Sequence, residues 1–318
     1  MRIWASTRCD EYLRIIGHGG FIVFLMLLMQ IGLFAAIPSD WTAPQKPFQI
    51  GDNLYYVGSR DLAAYLIVTP AGNILLNANL ASSPQQIRAS VRELGFHWRA
   101  TKILLLSQPH YDHAAGAAEV VKETGARLMV MDGDAQAVET GDAHDFGGPG
   151  LLPYTPVHVD HVLHDGEVVR LGGVEMTAHR TAGHSRGCTT WTMETQVHER
   201  PGGPVSYPAV VPVVIVGGYA PLDSYRLVAR PGQPVSYPGI AEDFEQTFEE
   251  LRELRCAVFL GAHGSYFNMQ AKLKRMPSDG ERVWIDPAGY RAMIDAAKKS
   301  FKQRLAEESE QAQKAQGQ

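Results

Sequence analysis

Residues 104–113 read Leu-Leu-Leu-Ser-Gln-Pro-His-Tyr-Asp-His, an apolar run followed at once by an amide, two imidazoles and a carboxylate. The run 103–106 predicts a strand buried on both faces, and the stretch from about 114 to 124 predicts a helix. In layered α/β folds ligands bind just beyond the carboxyl ends of strands, so Gln108, His110, Asp112 and His113 emerge where a site belongs. Imidazole and carboxylate groups at this density suit a borderline cation such as Zn2+. Taken alone, the same residues also read as a polar loop that happens to contain histidines.

Two later histidines strengthen the metal reading. His184 lies in Thr181-Ala-Gly-His-Ser-Arg-Gly-Cys-Thr189, and His263 follows the apolar run 257–260 in Gly261-Ala-His-Gly264. Each sits at a strand end beside glycine, which lets the backbone turn closely around an ion. His158, His161 and His164, spaced by three beside Asp160 and Asp165, read as surface histidines of a turn leading into a strand.

Outward from these motifs the chain alternates strand and helix patterns. Strands are expected at 54–57, 64–68, 73–76, 127–131, 168–171, 174–179, 189–193, 211–216 and 257–260. A helix is expected to start near Pro84, with Ile87, Val91 and Leu94 at helical spacing, and another spans 244–254. Mixed strands and helices in this order predict an α/β protein, its sheets covered by helices. Arg200-Pro-Gly-Gly-Pro-Val-Ser-Tyr-Pro208 recurs as Arg230-Pro-Gly-Gln-Pro-Val-Ser-Tyr-Pro238, two turn-rich loops rather than a solenoid period.

At the amino terminus, Arg2, Arg8 and Arg14 precede an uncharged run, residues 21–36 (FIVFLMLLMQIGLFAA), that is shorter than a comfortable membrane span. It reads as a cleaved signal peptide, residues 1–36, that delivers a periplasmic protein; an uncleaved signal anchor is the alternative. A single domain is expected over 37–305, followed by a polar tail, 306–318, that frays from a surface helix. With 45% hydrophobic residues the 318-residue chain has the material for a large core, and its net charge of −5 without a dense basic run excludes a nucleic-acid partner. Nothing in the pattern argues for an oligomer, so a monomer is expected. With Cys9 in the leader, the remaining cysteines allow at most one bridge, Cys188 to Cys256.

From Trp41 to about Leu305 the chain resembles the subclass B3 metallo-β-lactamases of the metallo-β-lactamase-fold superfamily. The resemblance runs through Phe48-Gln-Ile-Gly-Asp-Asn-Leu-Tyr-Tyr-Val-Gly58, residues 104–113, Asp165-Gly-Glu-Val-Val169, Gly183-His-Ser185, Glu242-Asp-Phe244 and Leu260-Gly-Ala-His263. It implies an αβ/βα four-layer sandwich and a zinc-dependent β-lactam hydrolase in which zinc-bound hydroxide opens the ring with no covalent intermediate. It further implies a first zinc held by Gln108, His110 and His184 and a second by Asp112, His113 and His263. Asp112 would also orient the nucleophile, and Ser185 would be a turn hydroxyl rather than a nucleophile.

Two departures from the family matter. Glutamine stands at position 108 where most members have histidine, as it does in some members of the subclass. Zinc prefers imidazole nitrogen to an amide oxygen, so the second site is expected to be the tighter and the enzyme to work with one or two zinc ions. Residues 217–225 read Gly-Gly-Tyr-Ala-Pro-Leu-Asp-Ser-Tyr, which lacks the family's Asp-Ser-x-Ser stretch. That leaves Tyr219, Ser224 and Tyr225 as candidate contacts for the small-molecule substrate. Asn77 replaces a common aspartate and points to an altered surround of the metals. A thioesterase of the glyoxalase II type or a lactonase is the nearest alternative, but those enzymes carry a bridging aspartate where this chain has Gly217-Gly218. A zinc-binding protein without turnover is the other. Cys256 matches a position that pairs with a later cysteine in many subclass B3 members, and no later cysteine occurs here.

Overall fold

The computed structural model describes residues 37–142, 146, 152–197 and 209–316. The expected signal peptide and the first copy of the repeat lie outside the described residues, as do the last two residues of the chain.

The first sheet contains β1 (Phe48–Gly51), β2 (Leu54–Tyr56), β3 (Tyr65–Thr69), β4 (Gly72–Leu76), β5 (Thr101–Leu105), β6 (Arg127–Met131) and β7 (His161–Leu163), in that order across the sheet. The second contains β8 (Val168–Leu171), β9 (Val174–Arg180), β10 (Thr189–Val197), β11 (Ala209–Val216) and β12 (Val258–Gly261), ordered β12-β11-β10-β9-β8. Strands β1 to β4 pair antiparallel, β4 to β7 parallel, and β11 pairs parallel with β12.

Alternation of side chains along each strand explains the layers. On β5, Ile103 and Leu105 face inward, where Ile67, Leu76, Met129 and Met131 meet Met176, Trp191, Val213 and Ile215 of the other sheet. Leu104 and Leu106 face outward with Leu66, Leu75 and Leu128. They pack beneath α2 (Ser83–Glu93), α4 (Ala117–Thr124) and α5 (Ala135–Thr140), through Ile87, Val91, Val120 and Val138. Outside the second sheet lie α6 (Ile240–Glu253) and α8 (Pro287–Gln316), with Phe244, Phe248, Leu251, Ile294 and Phe301 in the same core as the strands. The expected αβ/βα sandwich is the observed architecture. The short helices α1 (Ser39–Thr42), α3 (Tyr111–Ala114) and α7 (Met269–Asp279) complete it.

Two elements differ from the sequence reading. The single helix expected near 114–124 is broken into α3 and α4. Gly116 has its N–H on the carbonyl of Asn79 (2.9 Å), and a Cβ there would lie 2.3 Å from the carbonyl oxygen of Ala78. Close approach of those two backbones leaves room only for glycine. The tail over 306–318, expected to fray from a surface helix, is the end of α8 as far as Gln316, and it is packed rather than free, with Glu308 and Ala312 buried.

Candidate metal centre

The ends of three strands converge at one rim of the sandwich. After β5 the chain is fixed residue by residue: Trp191 Nε1 donates to the carbonyl of Leu106 (3.3 Å), and Thr189 N–H donates to that of Ser107 (2.7 Å). Ser107 N–H and Oγ–H both donate to Asn77 Oδ1, each at 2.9 Å, so Asn77 holds the backbone that presents the site. Tyr154 O–H donates to the carbonyl of Pro109 (2.5 Å). Gln108, His110 and Asp112 are thereby delivered buried, at 2%, 2% and 8% exposure, with His113 fully enclosed. The turn between β9 and β10 carries His184, and the end of β12 carries His263.

Asp112, His113 and His263 form one cluster. Asp112 Oδ2 lies 3.2 Å from His113 Nε2 and 3.4 Å from His263 Nε2, and the two imidazole nitrogens are 3.2 Å apart. Tetrahedral zinc with ligands at about 2.0–2.1 Å has its donor atoms about 3.3–3.4 Å apart, so this triangle matches one face of that tetrahedron. Beside it, the His110 and His184 rings meet at 4.9 Å. His184 Nδ1 bonds the carbonyl of Ala220 (2.7 Å), which leaves Nε2 as the coordinating nitrogen. The Gln108 Oε1 atom is buried and makes no hydrogen bond among the described residues. An oxygen in that state is costly unless something electropositive completes it, and a cation does. Both donor sets fit zinc, and the first is the poorer because it offers an amide oxygen.

Electrostatics agree with these roles. Burial and the neighbouring His110 push the His184 imidazole down to about 3, so it stays neutral and available as a ligand. Burial also lowers His113. Burial would raise Asp112, but His113 and His263 hold it well below the usual carboxylate range. His263 goes the other way: burial disfavours its charge, yet hydrogen bonds to Asp112 and Asp61 raise it to about 9.

Because His263 without metal is protonated at neutral pH, zinc has to displace that proton. Affinity of the second position should therefore rise about tenfold per pH unit from 7 to 9 and level off above. Zinc titration calorimetry in buffers of different ionisation enthalpy should show about one proton released at pH 7. Release that is absent at pH 7, or that does not fall to about half a proton by pH 9, would contradict this.

Several residues at this rim were not picked out from the sequence. Asp61 Oδ2 accepts from His263 Nδ1 (2.9 Å), and its Oδ1 accepts from Ser265 N–H (2.8 Å). Burial opposes the Asp61 charge, but His263 and Ser265 outweigh it and bring the carboxyl to about 2. This is the carboxylate–histidine arrangement that fixes ring orientation and raises ligand basicity. Asp61→Asn should weaken zinc at the second position about 10- to 100-fold, read by competition with a chromophoric chelator. Trp41 stands over His263 and Tyr111, with ring centres at 5.6 and 6.0 Å. Asp134 receives Ser185 Oγ–H and Gly187 N–H, both at 2.7 Å, so Ser185 is a turn hydroxyl as expected.

The three substrate candidates fall in different places. Tyr225 is buried, with its O–H donating to the carbonyl of His184 (2.6 Å) and lying 3.4 Å from His110 Nε2. Tyr219 packs on Tyr266, which itself rests on His263. Ser224 is exposed and lines a cleft with Arg226, Arg230 and Arg304. His158, His161 and His164 pair with Glu139, Glu167 and Asp132 at the surface, and the Asp112 group is the one three-residue His, Cys or carboxylate cluster among the described residues. Cys188 and Cys256 are both free, so the bridge left open by the sequence does not form.

Two sheets back to back, with metal-suited donor sets at the strand ends, place the chain in one architectural class, and comparison with known proteins gives that class its name. Residues 60–196 match the metallo-β-lactamase superfamily. The chain is 40% identical to the native FEZ-1 metallo-β-lactamase from Legionella gormanii, covering 84% of this chain and 98% of that one with a TM-score of 0.78. It is 33% identical to the class B3 di-zinc metallo-β-lactamase LRA-12 from an Alaskan soil metagenome, over 83% and 96% of the two chains, with a TM-score of 0.74. The chain therefore belongs to the metallo-β-lactamase superfamily, where its structural neighbours are subclass B3 enzymes. It is also 31% identical over 107 residues to a hydroxyacylglutathione hydrolase from Methylobacterium nodulans, a match that spans 34% of each chain. No helix among the described residues is long and apolar enough to cross a membrane.

Proposed function

We propose that the protein is a zinc-dependent β-lactam hydrolase of the subclass B3 type, exported by its leader and acting as a monomer on small-molecule substrates. The observation that carries this reading is the pairing of two donor sets, Gln108/His110/His184 and Asp112/His113/His263, beside a glycine pair where a thioesterase of this fold carries a bridging aspartate. Gly217 and Gly218 supply no carboxylate, and Gly218 lies directly against the His184 ring.

Zinc held by these residues supplies a Lewis acid that makes water a nucleophile near neutral pH. The chain's own groups do the rest. Asp112, kept ionised by His113 and His263, accepts a hydrogen bond from the attacking water and orients it. Asp61 holds the His263 ring, and Ala220 and Tyr225 hold His184. Tyr111 and Trp41 form an aromatic wall beside His263 against which the apolar part of a substrate can rest. A strained four-membered lactam needs no protein nucleophile, and Ser185 is engaged with Asp134.

Hydrolysis of a carbapenem and a cephalosporin by the purified leaderless protein, with zinc and after chelation, tests the reading. Zinc-dependent turnover of either supports it. Hydrolysis of a glutathione thioester or a lactone instead would transfer the same site to the alternative toward which the hydroxyacylglutathione hydrolase similarity points. The tighter binding proposed for the second position is checked by counting zinc after mild chelation: one ion should remain, lost on His263→Ala.

A further inference from the structure

We infer that Arg304, far along the carboxyl-terminal helix, is a positioning residue for the first metal position, acting with Glu308 through the loop 220–228. This rests on the metal-centre reading but is independent of which substrate is cleaved.

That loop belongs to no strand or helix, so its carbonyls lack ladder partners and something else must satisfy them. Arg304 does so. Its Nη1 donates to the carbonyls of Leu222 (2.9 Å) and Pro221 (3.5 Å), and its Nη2 donates to those of Tyr225 and Asp223. Its Nε donates to Glu308 Oε1 (2.9 Å) one helical turn away. All five guanidinium donors are used, which a lysine ammonium with three donors cannot reproduce. Glu308 Oε2 in turn accepts from Leu227 N–H (2.7 Å) and Val228 N–H (3.1 Å). The side chains are 24% and 10% exposed, so the pair works mostly shielded from water.

Two groups on this clamped loop reach the first donor set. The carbonyl of Ala220, next to Pro221, fixes the His184 tautomer, and the Tyr225 hydroxyl holds the His184 backbone and stands beside His110. The second donor set is braced differently, by Asp61 and by the bonds Gly264 N–H to Asp61 O (2.6 Å) and Ala63 N–H to Ala262 O (2.9 Å). Among the described residues, no hydrogen bond joins Arg304 or Glu308 to that brace. Loss of the clamp should therefore act chiefly on the first metal position, since the second is reached only through ring packing, Tyr219 on Tyr266 beside His263.

Zinc titration against a chromophoric chelator tests this on the full mature chain carrying Gln108→His, a change that strengthens the first position enough for both steps to be measured. His184→Ala and His263→Ala assign the two steps. Arg304→Ala should weaken the His184 step at least tenfold and leave the His263 step within twofold, and Arg304→Lys should recover only part of the loss. Equal weakening of both steps, or of neither, overturns the inference. If Arg304→Ala does not melt cooperatively, Glu308→Gln, which keeps an acceptor for Leu227 and Val228 but removes the charge opposite Arg304, is read by the same criterion with a smaller asymmetry. Lactam turnover plays no part in this readout, so failure of the clamp and failure of the substrate assignment are separately visible.

Discussion

Asp112→Asn should reduce turnover by roughly 10³-fold or more and remove zinc from the second position. The carboxylate is the only anion in the triangle it forms with His113 and His263, at 3.2 and 3.4 Å. An asparagine of the same shape brings a neutral oxygen or an NH2 group that competes with the imidazoles instead of joining them. It also loses the acceptor that orients the attacking water. Steady-state kinetics and zinc counting on the same preparation check this. A variant that keeps turnover within tenfold of the parent would remove Asp112 from the mechanism.

Gly218→Ala should be nearly as damaging, although it adds a single methyl group. A Cβ at 218 would stand 2.6 Å from both Cδ2 and Cγ of His184. The ring retreats only by giving up bonds, because Ala220 holds Nδ1 and Tyr225 holds the backbone carbonyl. Overpacking of this kind costs about 1–3 kcal/mol, which a denaturant melt resolves. Relief by tilting His184 would remove the first zinc while the His113/His263 position keeps its metal. A variant that binds zinc normally at both positions would show that the loop 217–220 can shift at little cost. The same crowding bears on the thioesterase alternative: no side chain of any kind fits at 218 with His184 where it is.

How far the chain could be read in advance depended on the range of each contact. Strand β5 and the donor side chains that follow it were legible because an apolar run, a turn and side chains suited to a metal are adjacent in sequence. His184 and His263 were legible by their strand-end glycines and by the family resemblance. Asp61 was not: it acts on a histidine 202 positions away, and a lone aspartate between two strands carries no local signal. Asp134 and Tyr154 were missed for the same reason. The polar run after 305 reads as the fraying end of a surface helix, and its packing was not legible, because only the fold shows Glu308 buried to complete Arg304. Tyr225 was named as a candidate substrate contact from the family resemblance, in a loop that lacks the family's serines; the fold puts its hydroxyl on the His184 carbonyl. Asn77 was associated with the surroundings of the metals from sequence, but what it does in the fold, holding Ser107, needed the geometry of two neighbouring parallel strands.

The two free thiols set the conditions under which the molecule can be made. Cys188 is enclosed, with its thiol pushed strongly up by burial, and burial pushes Cys256 up to about 12. Neither is a thiolate at ordinary pH, and neither is stapled to the other. The fold of the described residues thus owes nothing to an oxidising environment. A reductant that does not compete for zinc should leave its melting temperature unchanged, and protein produced in a reducing cytosol should reach that same melting temperature once zinc is supplied.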